Sequence, residues 1–169
     1  ESFERMFEFA TNNWPDHKIV IKIHPDVINQ KKKGCIDSSY YLKKNVIVLG
    51  DIGQINRLIE HSTAVCVVTS QVGFEALIYK KEVHVFGRPF YSGLGLTFDH
   101  NKNNEKVEKH FSLEQLVFSS LVKYQICFDP RTKKNCEIEE IMKFIHYSRE
   151  SSKFFPQELE AINLTPWKA

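Results

Sequence analysis

The sequence predicts an α/β fold, a parallel sheet flanked by helices, and three observations lead to it. Short apolar runs at Lys18 to Ile23, Val46 to Leu49, Thr63 to Val68 and Val83 to Phe86 have strand length and are rich in β-branched residues. Segments with apolar residues at helical spacing alternate with these runs. Parallel strands need a crossover connection, usually a helix, so this alternation points to parallel pairing.

Each element has its own signal. Phe3, Met6, Phe7 and Ala10 share one face of an opening helix. The first strand ends at His24-Pro25, because proline lacks the N–H that regular pairing needs. Gln30 to Lys44 is polar and loop-like, and after the second strand Asp51-Ile52-Gly53 leads into a helix carrying Ile55, Leu58 and Ile59. The third strand turns at Thr69-Ser70 into a helix over Gln71 to Tyr79, with Phe74, Leu77 and Ile78 on one side. After the fourth strand, Gly87 to Gly95 is rich in glycine and aromatics, and a loop this apolar must pack on something. Asp99 to His110 is highly polar, and Ser112-Leu113-Glu114-Gln115 fits a capping box opening a helix with Leu113, Leu116, Val117 and Leu121 on its face. A last helix follows Cys136, with Ile138, Ile141, Met142 and Ile145 at helical spacing. We expect residues 1–152 to form one lobe, incomplete at its N-terminus. The tail, residues 153–169, carries Phe155, Pro156, Pro166 and Trp167 and is expected to cross to a neighbouring lobe.

Composition narrows the function classes. With 169 residues, 42% of them hydrophobic, the chain can build one compact core. Its 23 basic and 21 acidic side chains nearly cancel, so no nucleic-acid partner is expected. Lys31-Lys32-Lys33 is a local exception, suited to solvent, phosphate or an anionic membrane surface. Cys35, Cys66, Cys127 and Cys136 form no C-x-x-C pair and fit reduced thiols in a cytoplasmic protein better than disulfides or zinc ligands. There is no apolar segment of membrane-spanning length, and Glu1 to Arg5 lacks a signal-peptide pattern, so we expect a soluble or peripheral protein. The absence of an initial Met suggests a piece of something longer.

The richest stretch is Val67-Val68-Thr69-Ser70-Gln71-Val72-Gly73-Phe74-Glu75-Ala76, a strand, a polar turn and a helix start. Unpaired N–H groups and hydroxyls there suit an anion, although a hydroxyl before a helix also serves as an ordinary N-cap. Gly73 allows close approach of a ligand or of neighbouring chain. In open parallel sheets ligands sit beyond the carboxyl ends of the strands. His24-Pro25-Asp26, Thr69-Ser70-Gln71 and Gly87-Arg88 all fall at such ends, with Lys22 a further candidate within its strand. A phosphorylated or nucleotide-activated ligand fits: residues 69 to 71 would hold phosphate, His24 would donate to it or act as an acid, and Glu75 would accept from a ribose or base. Against each stands a structural role: His24 capping a carbonyl, Glu75 answering the helix dipole, Arg88 in a surface ion pair. The histidines show no metal-ligand spacing, and no Walker loop, G-x-G-x-x-G or nucleophile elbow is present, so neither metal nor cofactor is expected.

At three places the residues resemble the bacterial capsule polysaccharide biosynthesis family, the KpsC/LipA type. These are Ile21-Lys22-Ile23-His24-Pro25-Asp26-Val27, then Val68 to Leu77, then Val83-His84-Val85-Phe86-Gly87-Arg88-Pro89-Phe90-Tyr91-Ser92-Gly93-Leu94-Gly95-Leu96-Thr97. With Ser112 to Leu116 and Tyr124 to Pro130, the resemblance covers about residues 3 to 145. It implies the Rossmann-like, nucleotide-binding C-terminal lobe of a GT-B glycosyltransferase. The reaction implied is retaining transfer of β-Kdo from CMP-Kdo, building the lipid linker beneath a capsule polymer at the cytoplasmic face of the inner membrane, within capsule polysaccharide synthesis and transport. On this resemblance His24 is catalytic, and Lys22, Pro25, Thr69, Ser70, Gln71, Gly73, Glu75 and Arg88 bind the CMP-sugar donor. The partners it implies are a lipid-linked glycan acceptor and a missing N-terminal lobe. The family's carboxylate nucleophile lies on a segment preceding the helix that opens this chain, so the 169 residues alone are expected to be inactive. Ser92, Leu94 and Gln30 stand where the family usually has Ala, Trp and Gly.

Two other readings fit parts of the pattern. UDP-sugar 2-epimerases share the two-lobed architecture and a His-Pro after a strand, but favour two adjacent glycines where this chain has Gln71-Val72-Gly73. A non-catalytic assembly module would use the aromatic Gly87 to Leu96 loop as an interface.

Overall fold

The computed structural model describes residues 2–23, 27, 45–50, 54–101 and 110–154, the last four by backbone alone. The chain divides into two compact units, Glu1–Leu116 and Val117–Ala169.

The first unit opens with helix α1 (Ser2–Asn13), which buries Phe7 and Ala10. Two side chains of its last turn bond back onto carbonyls one turn earlier: Thr11 Oγ1 donates to Phe7 O at 3.1 Å and Asn13 Nδ2 to Phe9 O at 2.9 Å. Trp14 N still donates to Ala10 O at 3.1 Å, and Pro15 after it cannot continue the ladder. Strands β1 (Ile19–Lys22) and β2 (Val46–Leu49) pair in parallel, Ile19 opposite Val46 and Lys22 opposite Leu49. Helix α2 (Ile55–His61) buries Ile59 and stops at Ser62, whose hydroxyl donates to Ile59 O at 2.8 Å.

Strand β3 (Ala64–Val67), helix α3 (Val72–Ile78) and strand β4 (Glu82–Val85) form a βαβ crossover. A further short strand, β5 (Phe98–Asp99), completes a second sheet of order β3-β4-β5, parallel throughout. Its core is Val67, Phe74, Ala76, Leu77, Val83, Val85, Phe86 and Tyr91. Full burial of one such aliphatic side chain contributes about 1.5–3 kcal/mol. The capping box forms as expected: Ser112 N donates to Gln115 Oε1 at 2.9 Å and Gln115 N to Ser112 Oγ at 3.2 Å, opening helix α4 (Leu113–Val117).

In the second unit the helix expected to run on through Leu121 becomes a π-helical turn over Phe118–Lys123, closed by Tyr124 N donating to Ser119 O at 2.9 Å. An antiparallel hairpin then joins β6 (Cys127–Asp129) to β7 (Lys134–Cys136), with Cys127 opposite Cys136. The buried Asp129 carboxylate organises its turn. It accepts from Arg131 N at 2.8 Å, Arg131 Nε at 3.1 Å and an Arg131 terminal nitrogen at 2.9 Å. The same guanidinium lies 5.2 Å from the centre of the Phe144 ring on helix α5 (Ile138–Phe154).

Candidate functional site

The polar turn expected to hold an anion sits at the carboxyl end of β3. Strand β4 lies beside it in parallel register, Val67 opposite Val85, with Phe86 N donating to Val67 O at 2.9 Å. The two strand ends therefore emerge together, which brings Thr69, Ser70 and Gln71 next to Gly87 and Arg88. All of these are exposed except Gly87, which is half-buried. Gly87 is required there: a Cβ would come within 2.8 Å of Thr69 Cγ2 and 2.9 Å of Val68 C. Asn101 Nδ2 donates to Gly87 O and fixes this end of β4 from the segment after β5.

The turn itself is built from Ser70. Its hydroxyl accepts from Val72 N at 3.2 Å, and its carbonyl accepts from Gly73 N at 3.2 Å and from the Tyr91 phenol. The hydroxyl thus does what an ordinary cap does, yet stays on the surface. The close approach at Gly73 is made by neighbouring chain: a Cβ there would lie 2.8 Å from Tyr91 Cζ and 2.9 Å from Val67 Cγ2. Glu75 is half-buried in the first turn of α3, its N–H donating to Gln71 O at 3.1 Å. Lys22 belongs to the other sheet, and its amine is taken by the carbonyls of Ile23 and Gly50, tying the ends of β1 and β2 together. His24 and Pro25 lie outside the described residues.

Behind the strand ends lies a polar chain that the spacing of residues did not reveal. Buried His84, on β4, meets Glu82 Oε1 through Nε2 at 2.6 Å and His100 Nε2 through Nδ1 at 2.9 Å. With Glu82 ionised, His84 donates to the carboxylate and accepts from His100. Arg5 reaches across from α1 to donate to His100 O at 2.7 Å, and Phe9 packs on the His100 ring with centroids 4.4 Å apart. Burial, then the nearby His84 and Arg5, push the His100 pKa below its ordinary value. On β3, burial first and Glu82 second push the pKa of the half-buried Cys66 thiol up to about 12, so it stays neutral.

The Gly87 to Gly95 loop packs as its apolar content requires. Tyr91 is fully buried and stacks near Phe74, centroids 6.4 Å apart, while Phe90 meets Phe74 at 5.2 Å. Asp99 holds the loop's far side, accepting from Gly93 N at 2.8 Å and Thr97 Oγ1 at 3.0 Å. Gly93 and Gly95 both have positive φ, at 73° and 78°. Among the described residues no group of three or more His, Cys, Asp or Glu side chains could hold a metal ion.

A family model described as "Capsule polysaccharide biosynthesis protein" matches residues 1–127 of this chain. The chain belongs to that family. Within the family it is similar to capsule polysaccharide modification protein LipA of Neisseria meningitidis serogroup B, at 30% identity over 99% of this chain and 24% of LipA. Lipopolysaccharide-processing protein LpsZ of Rhizobium meliloti is 34% identical over 65% of this chain and 24% of LpsZ. Among solved structures, Thermosulfurimonas dismutans KpsC, beta Kdo 2,4 transferase, superposes with a TM-score of 0.73 at 31% identity, covering 85% of this chain and 44% of that one. The KpsC beta Kdo 2,7 transferase gives 0.68 at 28% identity, covering 85% and 46%. This family member therefore spans 24% of the length of the curated relatives named here. Its parallel sheets flanked by helices are those of a GT-B-like fold.

Proposed function

We propose that this chain is the donor-binding part of a longer retaining β-Kdo transferase that takes the sugar from CMP-Kdo while a capsule lipid linker is built. The observation that carries the reading is the pairing of two exposed strand ends, Thr69-Ser70-Gln71 and Gly87-Arg88, at the carboxyl edge of a parallel sheet. Two hydroxyls and one guanidinium on adjacent ends suit the phosphate of a CMP-sugar. Family membership and the likeness to the two KpsC Kdo transferase structures support the sugar. In this reading Glu75 accepts from the nucleoside, Gly73 lets the turn pack tightly, and Lys22 supports the neighbouring strand ends. His24 would serve as acid or phosphate clamp.

The remaining parts of the reaction belong to the longer protein. Its other lobe would supply the carboxylate nucleophile and receive the lipid-linked acceptor at the cytoplasmic face of the inner membrane. Exposed Tyr124 and Ile126, 86% and 83% accessible, are apolar surface suited to cover by such a lobe. No helix among the described residues is long and apolar enough to cross a membrane.

Calorimetric titration with CMP and UDP is the test. Binding of CMP with little or no response to UDP is expected; preference for UDP would turn the reading toward a sugar epimerase, and indifference toward an assembly module. In the longer enzyme, His24→Ala and Ser70→Ala should each sharply reduce transfer from CMP-Kdo, whereas near-normal turnover in both would remove these residues from the site. The isolated chain should transfer no Kdo.

A further inference from the structure

One buried polar group is aimed at the candidate site from the core side, and the donor-binding reading gives it no role. Tyr91 has no solvent exposure, and its hydroxyl and Cζ occupy the space left by the missing Cβ of Gly73, with the ring beside Phe74 and Phe90. Phenylalanine would supply the ring but not the hydroxyl, which reaches furthest into that space. The hydroxyl also has a polar partner, the backbone carbonyl of Ser70, in the middle of the polar turn.

That carbonyl is held from two sides, by Tyr91 Oη–H and by Gly73 N–H at 3.2 Å. No peptide bond among the described residues is cis. In a trans peptide the C=O and the following N–H point in opposite directions. Drawing the Ser70 carbonyl toward the buried phenol thus turns the Gln71 N–H away from the core. Gln71 is exposed, and its N–H has no acceptor among the described residues. The neighbouring Val72 N–H, by contrast, is occupied by Ser70 Oγ. The phenol is a dependable donor: burial, with the Asp99 carboxylate nearby, pushes its pKa up to about 12. Asp99 also ties the loop carrying Tyr91 through Gly93 N and Thr97 Oγ1, so the lever has a fixed base.

We propose that Tyr91 is a positioning residue for donor phosphate, its hydroxyl setting the Ser70-Gln71 peptide so that the Gln71 N–H and the Thr69 and Ser70 side chains face the ligand together. The proposal rests on the donor-binding reading above and assigns the phosphate contact within it. Tyr91 touches no ligand itself.

The test compares CMP with cytidine, which lacks the phosphate, on the 169-residue chain and its Tyr91→Phe variant. The variant should bind CMP about tenfold more weakly, the effect of one hydrogen bond of ordinary strength, with cytidine affinity unchanged. Equal weakening of both ligands would mean a merely structural tyrosine, and unchanged CMP affinity would mean an idle hydroxyl; either overturns the proposal. If the unmodified chain binds CMP no better than UDP, the donor-binding reading itself fails and the proposal falls with it, a distinct result. Amide exchange over residues 69–72 of the unmodified chain needs no variant. CMP should slow exchange there and cytidine should not, whereas equal rates with both ligands would overturn the assignment even if Tyr91→Phe did not fold.

Discussion

At the scale of single residues, two glycines do most to shape the candidate site, for reasons of space rather than of backbone freedom. A Cβ at Gly73 or at Gly87 would meet packed atoms, the Tyr91 ring in one case and the Val68-Thr69 backbone and side chain in the other. Gly73→Ala and Gly87→Ala should each lower stability by about 1–3 kcal/mol in urea denaturation, as overpacking does. Both should also weaken CMP binding, because each displaces the turn that carries Ser70. Sequence reading found the importance of Gly73 and left open what approaches it. Only the fold decided for Tyr91, which lies eighteen positions further on in a different segment. His100 was legible only as part of a polar loop. The structure puts its ring against Phe9 and in line with His84 and Glu82. Its pKa lies below that of an unfolded histidine, so as pH falls the unfolded chain takes up the proton first. The contribution of His100 is present above the ordinary histidine range and lost as pH falls through its folded pKa. Thermal midpoints measured from about pH 8 down to pH 5 should fall more steeply for the unmodified chain than for His100→Gln; parallel curves would show that His100 does not set the slope.

At the scale of elements, α3 ends in a way its sequence does not announce. Lys80 adopts φ 56°, with Lys80 N donating to Leu77 O at 2.9 Å and Lys81 N to Ala76 O at 3.0 Å, the double bond of a Schellman ending. A lysine in this left-handed position costs about 1–2 kcal/mol, part of which glycine returns as greater freedom of the unfolded chain. Lys80→Gly should therefore raise stability by up to about 1 kcal/mol in chemical denaturation, and Lys80→Val should lower it. The cap of α4, by contrast, was legible from four residues because a capping box is wholly local; Ser112→Ala should cost about 1 kcal/mol. The main strands were legible for the same reason, since apolar runs of β-branched residues need no distant partner to be recognised. Strand β5, two residues long, is too short to show periodicity. The hairpin β6-β7 carries the polar segment Lys134-Asn135-Cys136 and turns without an Asn-Gly or Asp-Gly signal. The π-helical turn depends on a shift in hydrogen-bond partners that side-chain spacing does not encode.

At the scale of the whole molecule, each unit has its own anchor, and that of the second is acid-sensitive. Arg131 holds the Asp129 carboxyl below its usual range, so the stability of the second unit should persist above that range and be lost as pH falls through the folded pKa. The first unit depends instead on α1 being tied to the region after β5 through Arg5 and Phe9. Removing that tie with Arg5→Ala should increase proteolytic nicking near residues 98–101 before global unfolding, a change that limited proteolysis would detect.

What the sequence by itself determined is the α/β class, the order of its main strands and helices, and the family. These follow from local periodicity and from motifs whose spacing survives without coordinates. The tertiary structure decided which polar residues meet. It set Thr69-Ser70-Gln71 beside Gly87-Arg88 because β3 and β4 pair in parallel, turned Lys22 onto backbone carbonyls, and placed Tyr91 under Ser70. The physical reason is that hydrophobic patterning fixes which face of an element is buried. Neighbours far apart in the chain are chosen only when strands register and side chains compete for the same space.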